Sequence, residues 1–127
     1  MSTVKNYLNE ADSYFAIVAR NLDGPQKLGN NTLLSLSSMI AEKYLVSYLL
    51  AKSIPIQGHS IKSLLLQIEK SLGQLPEKLI GLSEIDEKLD LCTLSVISCS
   101  IPDNNEMAGI FANLVLLKDF IYDSIKI

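Results

Sequence analysis

The chain has 127 residues, enough for one domain that buries its own core without disulfides or metals. Its apolar share of 48% and mean hydropathy of +0.25 are high for so small a domain, and Trp is absent, so a core of Leu, Ile, Val and Ala is expected. A net charge of −3, with Arg20 the one arginine and the lysines scattered singly, argues against a dedicated nucleic-acid binder, whose grip on phosphate backbones needs clustered Lys and Arg.

In chain order, the first predicted helix runs from about Thr3 to Leu22, with Tyr7, Leu8, Ala11, Phe15, Val18 and Leu22 forming one apolar stripe. Gly24 and Pro25 in "DGPQ" end it. The second starts with Asn30 or Asn31 as N-cap and continues to about Ser53; Leu33, Leu34, Ile40, Ala41, Tyr44, Leu45, Tyr48 and Leu49 make its buried face. Pro55 disfavours helical geometry at Ile54 and stops the run. A third helix begins after Ser60, with Ile61, Leu64, Leu65, Ile68 and Leu72 inward, and closes at Gly73. "LPEKLIG" reads as a brief helical turn from Pro76 to Gly81.

The fourth helix follows Ser83, which pairs with Asp86 in a capping-box-like start. Ile85, Leu89, Cys92, Val96 and Cys99 then repeat at four and three, a coiled-coil-like seam. Seven residues of intact helix would hold the two cysteines roughly 10 Å apart, too far for a bridge, so buried reduced thiols are expected. Asp103 and Glu106 repeat the capping pattern before a last helix through "MAGIFANLVLLKDFIYDSI". Its apolar positions, among them Ile110, Phe111, Leu114, Val115, Leu117, Phe120, Ile121 and Ile125, cover more than half the circumference, which places it at the centre of the bundle or in a dimer interface.

No stretch alternates with period two, so no strands are expected. The result is a single all-α domain over residues 1–127, an up-and-down bundle of four to five helices. The start "MSTVKNYLNEADS" lacks a signal-peptide core, and Glu42 and Lys43 interrupt the longest apolar region, so a cytoplasmic protein without a membrane span is expected.

Chemistry-bearing patterns are sparse. His59, the single histidine, lies just before a helix start with no sequence neighbour to orient it, which suits a loop residue bonded to backbone. One histidine cannot supply the paired Glu-x-x-His motifs of a di-iron bundle, and the two cysteines do not form a CxxC pair. The acidic run Glu84, Asp86, Glu87 and Asp90 suits a solvated helix N-terminus. "GNN" and "GIF" match no phosphate-binding glycine loop, and no Gly-x-Ser-x-Gly elbow is present, so neither a cofactor nor a nucleophilic catalyst is expected. Tyr44 and Tyr48 stand one turn apart beside Lys43 and Lys52. They either close the core rim with hydroxyls in water or, together with His59, contact the base and phosphate of a nucleotide.

The stretch "AEKYLVSYLLAKSIPIQGHSIKSLL", the continuation "LPEKLIGLSEIDEKLDLCTLS" and the break "SIPD" before a long last helix together resemble the HEPN domain family over nearly the whole chain. The resemblance implies a bundle of four or five helices, commonly a homodimer. It also implies metal-independent ribonuclease activity, nucleotide binding, or partnership with a small nucleotidyltransferase in a toxin–antitoxin pair. The family's ribonuclease motif joins an Arg to a polar residue and a nearby His. The corresponding region here, "LCTLSVISCSIPDNNEMAG", contains neither, and Arg20 and His59 lie in different elements. The expectation is therefore a non-catalytic module that self-associates and binds a protein partner or a nucleotide. The alternative is a ribonuclease toxin with a rebuilt site using His59.

Overall fold

The computed structural model describes residues 2–94 and 101–125, with side chains for 3–89 and 101–125. The chain forms five helices packed as a bundle and one additional helical turn, and there are no strands among the described residues. Helix α1 spans Ser2–Asp23, α2 Asn30–Ala51, α3 Ile61–Leu72, the single turn α4 Glu77–Ile80, α5 Ser83–Leu94 and α6 Asn104–Ile125. The expected thiol environments of Cys92 and Cys99, and Val96 of the seam, lie outside the described side chains.

The helix at the centre is α2. It packs against α1, α3, α5 and α6, and every residue from Tyr44 to Leu49 is buried. A buried run longer than the 3.6 residues of one turn means that this part of the helix is covered on all sides. Its two buried serines return their hydroxyls to the helix itself: Ser37 donates to the Leu33 carbonyl at 2.8 Å and Ser47 to that of Lys43 at 2.7 Å. By length and composition α2 is apolar enough to cross a membrane, which the interruption at Glu42 and Lys43 had not suggested. In the bundle most of its surface is buried, and it serves as the core helix.

Helix α1 runs antiparallel to α2 and seals one side with Val4, Leu8, Ala11 and Val18. Helix α6 lies alongside α2 in the same direction: Asn30 bonds Asn104 at one end, and the Tyr48 and Phe120 rings stack at 6.1 Å farther along. It buries Met107, Leu114, Leu117 and Ile121 while Val115, Leu116 and Tyr122 remain exposed. Of the two places expected for the last helix, the centre is therefore taken by α2.

Local signals set most helix ends. Ser60 caps α3 by accepting the Ser63 N–H at 3.1 Å, and Asp103 and Glu106 close a reciprocal capping box at the start of α6. Ser53 takes the left-handed position after α2, with the Ser53 and Ile54 N–H groups returning to the Leu50 and Leu49 carbonyls. Three expectations are corrected. The N-cap of α2 is Gly29, and Asn30 instead turns its amide to the Pro102 carbonyl at 2.8 Å and to Asn104. Ser83 donates to the Ile80 carbonyl because the chain is already turning through 81–85, and Asp86 is drawn away to accept the Lys62 N–H of α3 at 3.1 Å. Leu72 points outward, 47% exposed at the last residue of α3, where the helix has passed the core.

Candidate functional site

Asp12 of α1 is the polar junction of the bundle. Its carboxylate accepts the Tyr44 hydroxyl from α2 on Oδ1 and the Tyr122 hydroxyl from α6 on Oδ2, the latter at 2.5 Å. Lys118 of α6 places its ammonium 3.7 Å from Oδ1 and 4.7 Å from the Phe15 ring centroid, and Phe15 packs on Phe111 at 4.8 Å. Burial, reinforced by the bond to Asp12, pushes the Tyr44 hydroxyl far above the ordinary tyrosine range. The same causes push Tyr122 up to about 12. Neither phenol is poised to ionise near neutrality, and their shared acceptor ties three helices together.

The expected ligand set separates around α2. Tyr44 and Tyr48 do not sit at a wet rim; both are buried, and neither ring presents a face on which a base could stack without opening the core. Lys43 pairs with Glu10 of α1 at 2.5 Å and lies 5.3 Å from the Tyr7 ring centroid; the Glu10 hydrogen bond raises its pKa. Lys52 lies 5.8 Å from the Tyr48 centroid. His59, 66% exposed on its side chain, does have an orienting partner: Nδ1 stands 3.1 Å from Glu42 Oε2. Glu42 and Lys43 are about 100° apart around the helix. Lys43 thus meets α1 while Glu42 meets the loop before α3, and His59 and Lys43 do not share a site. Arg20 lies elsewhere again, beside Pro25 and Lys27.

Sequence reading missed Asp12, Glu10, Glu42, Lys118 and Tyr122. One signal for Asp12 was present: it follows Leu8 by four and precedes Phe15 by three, a carboxylate standing on the apolar stripe. Nothing local pointed to the others, because their partners lie 17 to 110 residues away.

A groove of about 430 Å³ separates α5 from α6, with Leu82, Ile85 and Ile110 on its walls. Lys88 bridges it to Glu106 at 3.0 Å, and this contact, with the Asp103 N–H, holds the Glu106 carboxyl below the usual range. Among the described residues no three His, Cys, Asp or Glu side chains converge as metal ligands. A scan of protein-family models, a search of characterised proteins and a search of solved structures returned no match to this chain.

Two outcomes are expected at the junction. Replacing Asp12 by Ala leaves the buried Tyr44 hydroxyl without its acceptor and should cost about 1–3 kcal/mol in urea or thermal unfolding. Because both tyrosine pKa values are raised by folding, the associated stability is complete below the unfolded value near 10. For Tyr122 it drains as pH climbs toward about 12. Melting curves between pH 8 and 12 should show this alkaline loss, and Tyr122→Phe should flatten it.

Proposed function

We propose that this chain is a non-catalytic, HEPN-like helical module that self-associates and binds a further partner, either a protein or a nucleotide. The observation that carries the reading is the outer face of α6. Opposite the buried Leu114, Leu117 and Ile121, the positions Ala108, Ala112, Val115 and Asp119 are exposed at spacings of four, three and four, with Leu116 beside them, and Tyr122 at the end of this run turns its hydroxyl back to Asp12. That spacing is the seam pattern of paired helices, and Val115, Leu116 and Tyr122 are each 37–40% exposed. Apolar surface in water favours a partner of the same pattern, and a second copy supplies one by symmetry. The partner class implied by the family resemblance is a nucleotidyltransferase of a toxin–antitoxin pair.

One observation favours a different reading, a ribonuclease with a non-standard site: the His59–Glu42 pair. Glu42 can hold the imidazole in one tautomer, leaving Nε2 for a proton transfer. Against it, Lys43, the nearest lysine in sequence to Glu42, is turned to Glu10, and the one arginine lies in another pocket.

Light scattering coupled to size exclusion should find a dimer at tens of micromolar, with Val115→Lys/Leu116→Lys monomeric and fully helical. A wild-type chain that remains monomeric there removes self-association from the proposal. Purified protein incubated with total RNA, with and without EDTA, should leave the RNA intact. Cleavage abolished by both His59→Ala and Glu42→Gln would establish the nuclease instead.

A further inference from the structure

The turn between α1 and α2 is fastened more firmly than a connector requires. Asn21 Oδ1 accepts the Lys27 and Leu28 N–H groups, each at 2.9 Å, and Asn21 Nδ2 donates to the Ile17 carbonyl at 2.9 Å. Gln26 Nε2 donates to the Leu28 carbonyl at 2.7 Å and to Asn30 Oδ1 at 2.8 Å, and Asn30 is tied in turn to Pro102 and Asn104. This chain of amides folds residues 24–29 back over the last turn of α1 and anchors them to the start of α6.

A pocket of about 410 Å³ opens against that turn, lined by Ile17, Arg20, Asn21, Pro25 and Lys27. Its volume lies within the ordinary span of small-ligand sites. The lining contains two cations and no acid, in a chain whose acids outnumber its bases. Lys43, Lys88 and Lys118 each rest on a carboxylate; Arg20 and Lys27, like Lys5, Lys52, Lys62, Lys70 and Lys78, form no ion pair among the described residues, and Arg20 and Lys27 line the same pocket. Arg20 also lies in the last turn of α1, where a cation offsets the carbonyl end of the helix dipole. That role accounts for Arg20 alone and does not extend to Lys27, which lines the same pocket and whose backbone N–H is held on Asn21.

We propose that this pocket binds a small organic phosphomonoester. Its dianionic phosphate is held between the Arg20 guanidinium and the Lys27 ammonium, and its organic body rests on Ile17 and Pro25. Guanidinium matches two phosphate oxygens at once, and a second cation beside it favours the dianion over singly charged anions. A nucleoside monophosphate and a sugar phosphate both belong to this class. The site shares no residue with the outer face of α6 and holds whether or not that face pairs.

The test is a titration of the full chain with inorganic phosphate, glycerol phosphate and AMP at fixed ionic strength, followed by backbone amide NMR. The Lys27 and Leu28 amides, held on Asn21, are the reporters. Saturable shifts are expected there, with at least one ester binding more tightly than inorganic phosphate. Arg20→Gln and Lys27→Gln should each weaken binding about tenfold, as loss of one charge-assisted contact implies. Both side chains are exposed, so unchanged circular dichroism should accompany the loss, and Lys70→Gln on α3 should leave binding intact. Shifts that do not saturate, that persist in the Arg20→Gln/Lys27→Gln double variant, or that are as strong for inorganic phosphate as for every ester would overturn the assignment.

Discussion

The burial of α2 on all sides is the constraint from which the arrangement of the other helices follows. Between Tyr44 and Leu49 no residue reaches solvent, so α1, α3, α5 and α6 must each take a share of its circumference. Each Leu, Ile or Val removed from water there contributes on the order of 1.5–3 kcal/mol before the entropy of ordering is subtracted. The polar atoms within this apolar sleeve are few: Ser37 and Ser47 are satisfied by their back-bonds, and the Tyr44 hydroxyl by Asp12 of α1. Glu42 and Lys43 form a polar edge of α2, and the helical twist sends Lys43 to α1 and Glu42 to the loop before α3.

Asp12 shows how the same packing turns a polar residue into a fastener. Asp12 stands at the edge of the inner stripe of α1, half-buried, where its carboxylate needs hydrogen-bond partners. Two phenols and an ammonium from α2 and α6 meet it, and in doing so fix the rotation of α6 about its axis. That rotation puts Leu114 and Leu117 inward and leaves Val115 and Leu116 facing out. The docking face proposed for α6 is thus a consequence of where Asp12 holds the helix, and the apolar surplus of the composition is in part the surplus of that outer face.

The two proposed interaction sites lie on different structural foundations. The α6 seam is a repeated pattern on a rigid helix, suited to another helix. The pocket at the α1–α2 turn is a loop held by side-chain amides, suited to a small anion. His59 and Glu42 form a further polar pair, outside both sets, in which a carboxylate orients the one imidazole of the chain.

Helix number, approximate ends and the inward residues of α1, of α2 and of α3 as far as Ile68 were legible in the sequence because they depend on neighbours three or four positions away. The cap at Ser60, the box at Asp103 and Glu106 and the stop at Gly73 are of this kind. Where a longer-range partner competed, local reading failed: Asn30 left its capping role for Asn104, and Asp86 left Ser83 for α3. Periodicity alone also left open whether the last helix was central or peripheral, because breadth of an apolar face does not say which neighbour covers it. Only the tertiary packing decided that α2 is the enclosed helix. The same packing set Glu42 against His59, because side chains far apart in the chain meet only once the helices have chosen their faces.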